Sequence, residues 1–161
     1  MVLPAQAAPA SNALPDAEAV PGLDREIAFW LAESAPRVNW VFPPALERAL
    51  ECSPSLGIRL RSLAVASFHR AEVEIIGDPL FGDLRALGAL VDARYALLPV
   101  SAGYVPADSA GQGRVELRVA LIDTRGGRVL WFGALAGQPG LPENPATVAT
   151  AAQALARTVA R

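Results

Sequence analysis

Apolar residues recur most regularly between residues 94 and 137, and their spacing predicts three strands. In the middle segment, GRVELRVALID, every second position is apolar: Val115, Leu117, Val119 and Leu121. A period of two is typical of a strand with one buried face. The segments RYALLPVSAGYV before it and RVLWFGALA after it are also apolar. The pattern therefore predicts a three-stranded antiparallel meander.

The turn between the second and third strands reads DTRGG, from Asp123 to Gly127. An acidic first residue and a glycine able to take a positive φ suit a type I turn with a G1 bulge. That turn would place Val129 and Trp131 beside Leu121 and Val119. A four-residue loop would place Leu130 and Phe132 there instead, because a one-residue shift exchanges the faces of a strand.

Either register leaves an apolar patch on the other face of the hairpin, formed by Ala120, Ile122 and one large aromatic residue. A patch of this kind needs a cover, either a helix of the same chain or a partner. The candidate protein-interaction surface consists of Ala120, Ile122, Leu130, Trp131 and Phe132.

Helical spacing of apolar residues predicts four helices. The first covers residues 23–34, a short second one 44–52, a third begins at Pro79 with Asp78 as its N-cap, and the last runs from Asn144 to the end. The third carries apolar residues at the i, i+4, i+7 and i+11 spacing of a buried stripe, namely Leu80, Leu84, Leu87 and Val91. Between the second and third helices, within residues 60–76, LRSLAVASF suits a strand by the alternation of Leu63 and Val65 or a helix by its alanines, and EVEII suits a second short strand. We predict strands for both.

This order of elements predicts an α+β fold, with a mainly antiparallel sheet that ends in the meander and helices packed on one face. Residues 23–161 are expected to form a single domain, since a chain of 161 residues that is 52% apolar can bury one sizeable core. Residues 1–22, rich in Ala and Pro, are expected to be a disordered tail or the remnant of a processed export signal. They contain neither a basic n-region nor an adequate hydrophobic h-region.

Charge and cysteine content argue against several classes of function. All fourteen basic residues are Arg and the net charge is −2. No Arg cluster is interleaved with aromatic residues, so a nucleic-acid partner is not expected. The single Cys52 cannot form an internal disulfide, and its apolar surroundings predict a small buried side chain. No apolar stretch reaches the length of a transmembrane segment.

Catalytic and cofactor chemistry is not expected either. His69, the only histidine, has no serine elbow or orienting carboxylate in a recognisable motif. One His and one Cys cannot make a zinc site unaided. The sequence therefore predicts no catalytic, metal or cofactor-binding residues and no enzyme activity. Trp30, Trp40 and Trp131 are expected in the core, and the alternative is that they line a small-molecule cleft.

One family resemblance rests on DARYALLPVSAGYV followed by GRVELRVALIDTRGGRVLWFGALAG. These segments resemble the core of bacterial envelope lipoprotein domains of the CsgG, LpoB and TolB N-terminal kind. The residues that match the hairpin signature of that group are Leu121, Asp123, Thr124, Gly127, Val129, Trp131 and Gly133. The group's first strand reads like AVLPF, and LRSLAVASF is its expected equivalent. This chain departs from the group in lacking a lipobox cysteine near residue 1, which bears on membrane anchoring.

The resemblance implies a non-enzymatic module, exported across the inner membrane, that acts by protein contact. The expected function is an accessory or scaffold subunit of a bacterial envelope or membrane-embedded complex, located in the periplasm or at the envelope. The alternative is a small-molecule binding domain with a Trp-lined cleft.

Overall fold

The structure, a computed structural model, describes residues 1–7, 14, 19–69, 73–106, 112–142 and 144–160. Four helices are present in this part of the chain: α1 (Ala19–Ser34), α2 (Pro43–Glu51), α3 (Leu80–Leu90) and α4 (Pro145–Val159). The strands are β1 (Tyr95–Pro106), β2 (Gly113–Asp123) and β3 (Arg128–Ala136), in the order β1-β2-β3. The predicted α+β class and antiparallel meander are confirmed, with helices packed against the sheet.

The described residues form two compact units, each assembled from three separate stretches of chain. Unit 1 comprises Met1–Gln6, Trp40–Val100 and Val119–Gly133. Unit 2 comprises Ala7–Asn39, Ser101–Arg118 and Ala134–Arg161. Each of the three strands contributes residues to both units. The single domain expected over residues 23–161 stays a prediction.

The core of unit 1 is apolar and includes the predicted stripe of α3. Leu84 and Leu87 are fully buried, and Val91 packs against the same cluster at the helix end. Other buried members of this cluster are Leu46, Leu60, Leu63, Phe68, Ile76, Ala96, Leu98, Val100, Ala120 and Ile122. In unit 2, α1 and α4 pack against each other. Their buried residues include Leu23, Ile27, Leu31, Val148, Ala151, Ala152 and Leu155.

Residues 1–7 differ from the predicted tail. Met1, Val2 and Leu3 are buried, and the segment runs parallel to β1, with Val2 bridging Leu97 and Ala7 bridging Ala102. Backbone N–H groups of Leu3 and Leu97 donate to carbonyl oxygens across this pairing, at 2.9 Å in both cases. Three apolar residues are too few to show a strand period. Contacts with segments distant in sequence order them: the parallel pairing with β1, and the N–H of Val2, which donates to the carbonyl oxygen of Val41 at 2.8 Å. The helix α1 also begins inside the predicted tail, at Ala19.

Two prolines explain why this N-terminal segment makes isolated bridges rather than a continuous strand. Both bridges have the same sequence offset, which places Pro99 opposite Pro4. A proline lacks the N–H group that a continuous ladder requires. Pro99 cannot donate to the segment, but its carbonyl oxygen accepts the N–H of Gln6 at 3.0 Å.

The side chain of Gln6 joins the N-terminal segment to the loop that follows α2. It is almost fully buried. Its Nε2 donates to the carbonyl oxygens of Pro4 and Leu60, at 2.9 and 2.8 Å. Its Oε1 accepts the N–H of Leu63 at 3.0 Å. Because buried polar groups are costly without partners, this amide determines where residues 60–63 lie.

The strand predicted from LRSLAVASF is wrong, whereas EVEII, of which residue 72 lies outside the described residues, pairs with the start of β3. The segment LRSLAVASF contains a turn and a 3-10 helix, Ala66–His69. Leu63 and Phe68 are buried although residues 60–69 pair with no strand. In EVEII, a single antiparallel bridge joins Ile75 to Arg128. The described segment that pairs with β1 on the side away from β2 is residues 1–7, through the bridges Val2–Leu97 and Ala7–Ala102.

The turn between β2 and β3 contains four residues, 124–127. Gly127 has a φ of 69°, and its N–H donates to the Asp123 carbonyl oxygen at 2.9 Å. A glycine takes this left-handed conformation without steric cost. Val129 and Phe132 both pack against the core of unit 1. Since they are three residues apart, β3 does not alternate strictly between them.

Candidate interaction surface and charged cavities

The hairpin residues predicted to form an interaction surface are divided between core and surface. Ala120 and Ile122 are fully buried in the core of unit 1 and offer no surface to a partner. Phe132 is the aromatic residue that shares their core, with its ring centroid 5.3 Å from that of Phe68. The cover required by this patch is therefore supplied within the chain, by the apolar cluster that includes Phe68 and α3.

Leu130 and Trp131 remain at the surface. Leu130 is 46% exposed, and Trp131 is half-buried. The indole ring of Trp131 lies over Gly133, where a Cβ atom would overlap ring atom Cζ2. Gly133 therefore provides the space that the ring occupies.

Ile75 belongs to the same surface and was missed by the sequence analysis. It is 69% exposed and bridges Arg128, so its side chain lies on the same face of the backbone pair as Arg128 and Leu130. Ile75, Leu130 and Trp131 are named the outer patch. The available signal was the apolar Ile75 beside the charged residues of EVEII, but its exposure depends on pairing with a strand far along the sequence.

The three tryptophans do not share a cavity wall in the part of the chain that the structure describes. Trp30, on α1 in unit 2, makes an edge contact with Phe29 at 5.3 Å. Trp40 stacks on Phe42 at 6.3 Å. The cavity between α3 and the β2–β3 turn has no tryptophan in its wall, and neither does the cavity beside the end of α2. The alternative of a Trp-lined cleft gains no support from these contacts.

The first cavity has a volume of about 440 Å³ and lies where α3 meets β1 and the β2–β3 turn; it is named the arginine cavity. Its wall consists of Arg85, Gly88, Ala89, Asp92, Ala93, Arg94, Thr124 and Arg125. Three positive charges and one negative charge therefore line it. The second cavity, about 490 Å³, is lined by Glu47, Leu50, Glu51, Ile58, Arg59, Leu60 and Arg61. Two Glu and two Arg side chains line this second cavity, so its positive and negative charges are equal in number.

The floor of the arginine cavity is held by Thr124. The side chain of Thr124 is buried, and its hydroxyl donates to the carbonyl oxygens of Ala93 and Arg94, at 3.1 and 2.8 Å. The backbone N–H of Thr124 also donates to the carbonyl oxygen of Arg94, at 2.9 Å. Gly88 allows this approach, because a Cβ atom there would lie 2.7 Å from both the Ala93 carbonyl oxygen and the Thr124 hydroxyl. The turn is thus fastened to the end of α3.

An ion pair beside this cavity orients Arg94. Its Nε and Nη2 donate to Oδ2 of Asp123, at 3.1 and 3.0 Å, and its guanidinium lies 5.1 Å from the ring centroid of Tyr95. The N–H of Arg125, more than the guanidinium of Arg94, lowers the pKa of the Asp123 carboxyl by hydrogen bonding to its charged form. The hydrogen bond that the Arg94 guanidinium donates to the Asp123 carboxylate raises the pKa of Arg94.

The remaining chemical candidates are dispersed. His69 is exposed at the end of a 3-10 helix. Cys52 is exposed at the end of α2, so its predicted burial is wrong. Cys52 is the C-cap residue, so it lies outside the helical turns whose spacing buries Leu46. Among the described residues, no group of three His, Cys, Asp or Glu side chains could hold a metal ion. Within the same residues, each helix is too short or too polar to cross a membrane.

Comparison with known proteins gives one structural likeness. No family model matches the sequence, and no curated protein matches it. The chain is similar to the crystal structure of lipoprotein GNA1162 from Neisseria meningitidis, with a TM-score of 0.51 and 17% identity. The likeness covers 99% of this chain and 95% of that one. It shows that the two proteins share a fold over nearly all of both chains.

Proposed function

We propose that this chain is a non-catalytic accessory or scaffold subunit of a bacterial envelope or membrane-embedded complex, acting through protein contact. The observation that carries the proposal is the whole-length likeness to a bacterial lipoprotein. The hairpin signature is also that of the CsgG, LpoB and TolB N-terminal group, and within the proposal the chain is a relative of that group located at the envelope.

The outer patch is the surface proposed for this contact. Ile75 and Leu130 are among the most exposed large apolar residues of the described chain. Trp131, which follows Leu130 in the chain, is half-buried, and its ring lies against Gly133. Tryptophan is enriched among the residues that dominate binding energy at protein interfaces. An aromatic side chain that is already positioned loses little conformational entropy when a partner covers it.

Site-specific photo-crosslinking tests this proposal in the full chain in its bacterial host. A photoreactive residue in place of Leu130 is expected to capture one defined envelope protein. The same residue in place of Leu141 is the control, since Leu141 is 47% exposed and lies in unit 2. Leu130→Asp should then weaken association with the captured protein about tenfold or more, as expected when a charge is buried at an interface.

Two results would contradict the proposal. One is a crosslinking pattern that is the same at positions 130 and 141. The other is a Leu130→Asp variant that is folded, by circular dichroism, and keeps full association. Fractionation of the host cells tests the location separately, because a protein found only in the cytoplasm would not meet an envelope partner.

A further inference from the structure

We propose that the arginine cavity binds a phosphate group carried by a small molecule or a lipid headgroup. The inference is independent of the outer patch and of the protein contact assigned to it. It rests on the charge of the cavity wall, on its size and on the way its floor is built.

The charge of the wall is the first support. Three of the fourteen arginines line one cavity, and Asp92 is the carboxylate of its wall. The carboxylate of Asp123, beside the cavity, pairs with Arg94, which leaves Arg85 and Arg125 for an anion. The ion pairs found among the described residues involve neither Arg85 nor Arg125. Both side chains are exposed, on α3 and on the β2–β3 turn. Like-charged guanidinium groups placed together repel one another unless an anion lies between them.

The groups available in the wall favour phosphate over other ligands. The hydroxyl of Thr124 already donates to backbone carbonyls, so the free donors of the wall are mainly guanidinium groups. A guanidinium matches the geometry of phosphate oxygens and can donate two parallel hydrogen bonds. A phosphate has enough oxygens to accept from more than one arginine. A carboxylate has fewer oxygens and carries a smaller negative charge than a phosphate.

The size of the cavity indicates that the phosphate carries an organic group. A volume of about 440 Å³ lies within the range of small-molecule sites. Ala89 and Ala93 add apolar wall beside the arginines. A phosphorylated metabolite and a phospholipid headgroup present the same chemistry at this point, and the experiment separates them.

The floor of the cavity is fixed before any ligand arrives. Thr124 fastens the turn to the α3–β1 connection, and Asp123 holds Arg94. At that connection Asp92 has a φ of 49°, a left-handed conformation uncommon for residues other than glycine. A left-handed residue that is not glycine costs stability and is more frequent at functional sites. Here it places a carboxylate in the wall.

Binding is tested with three probes on the intact chain: inorganic pyrophosphate, glycerol 3-phosphate, and vesicles of phosphatidylglycerol with phosphatidylcholine vesicles as reference. Backbone amide shifts in NMR spectra report the soluble probes, and co-sedimentation reports the vesicles. The expected shifts lie at Gly88, Ala93, Arg94 and Arg125. Binding of the soluble probes alone identifies a soluble phosphate ligand. Preference for phosphatidylglycerol vesicles identifies a lipid headgroup.

Charge variants show whether binding belongs to the cavity. Arg85→Gln and Arg125→Gln should each weaken it about tenfold, since each removes a charge-assisted hydrogen-bond donor. Ala89→Glu should abolish it, and Asp92→Asn should strengthen it, because these changes add or remove a negative charge in the wall. The matched control is Arg118→Gln, an exposed arginine of β2 in unit 2.

The proposal is overturned if none of the three probes binds, or if Arg118→Gln weakens binding as much as the cavity variants do. The second result would mean that the probes respond to overall charge. All the substituted side chains are exposed, so circular dichroism should show folded variants throughout. Neither result bears on photo-crosslinking at Leu130, so this inference and the proposed function can fail separately.

Discussion

At the scale of single residues, Gln6 makes the most consequential contacts of the described chain. Its amide satisfies two carbonyl oxygens and one N–H group inside unit 1. Replacing it leaves these backbone groups buried and without their partner.

Gln6→Ala is therefore expected to lower the free energy of unfolding by about 2 kcal/mol, the cost of unsatisfied buried polar groups. Urea denaturation measures the change. The control is Gln138→Ala, at an exposed position, expected to change stability by no more than about 0.5 kcal/mol. Equal effects of the two substitutions would mean that Gln6 does not hold the N-terminal segment in place.

The carboxyl of Asp123 should contribute to acid sensitivity. Its pKa is lowered in the folded protein, so its contribution to stability is present above the unfolded pKa of about 3.9 and is lost as pH falls through the folded pKa. The stability of Asp123→Asn should therefore fall less steeply than that of the parent below about pH 4. Thermal unfolding between pH 2 and 7 measures both slopes.

The pKa of the Asp83 carboxyl is shifted in the opposite direction to that of Asp123. Burial, followed by repulsion from Asp78, raises the pKa of the Asp83 carboxyl. A raised pKa means that the charged form costs stability in full above the folded pKa, and that the cost shrinks as pH falls through the folded pKa and is gone below the unfolded pKa. Asp83→Asn should thus be more stable than the parent near pH 7, with the difference closing in acid. Identical pH profiles for the two Asn variants would contradict both assignments.

At the scale of elements, the end of α3 shows a backbone that favours glycine but carries Asp92. The N–H of Ala93 donates to the Gly88 carbonyl oxygen at 2.8 Å, which is the long bond of a Schellman motif with Asp92 at its left-handed position. Glycine is the usual residue there, because a Cβ atom is disfavoured in this conformation.

Asp92→Gly is expected to raise the free energy of unfolding by about 1 kcal/mol. Asp92→Ala separates the backbone from the charge, since alanine removes the carboxylate but keeps the Cβ atom and should bring no such gain. Chemical denaturation of the three proteins gives the comparison. If alanine stabilises as much as glycine, electrostatic repulsion rather than backbone conformation is responsible.

At the scale of the whole molecule, the open question is whether the two units unfold together. Each of β1, β2 and β3 contributes residues to both units. A strand that loses its order in one unit leaves its remainder without an anchored end. We therefore expect the units to unfold in a single cooperative transition, as small single domains do.

Calorimetry tests this expectation by comparing the calorimetric and van't Hoff enthalpies, which should agree. Two core variants serve as matched probes: Leu84→Ala in unit 1 and Leu31→Ala in unit 2, both at fully buried positions. Each should cost about 2–5 kcal/mol and shift the same transition. Two separate transitions, each moved by only one variant, would show that the units are independent domains.

Local patterns in the sequence were sufficient for the elements whose stabilising contacts lie close by. The alternation in β2, the apolar stripe of α3 and the Asn144-Pro145 start of α4 each predict an element that the structure contains. These signals arise within one strand or one helix, where spacing alone sets which side chains share a face. The α+β class follows from their order.

Only the tertiary structure decided the remaining features of the fold and of the candidate sites, because the residues that contact one another in them are distant in sequence. Residues 1–7 become ordered by pairing with β1, and residues 60–63 are held by Gln6. Burial of Ala120 and Ile122, and exposure of Ile75, follow from which segments cover the hairpin. The arginine cavity is lined by α3, by the α3–β1 connection and by the β2–β3 turn, and no periodicity along the chain could have brought Arg85 and Arg125 to one wall.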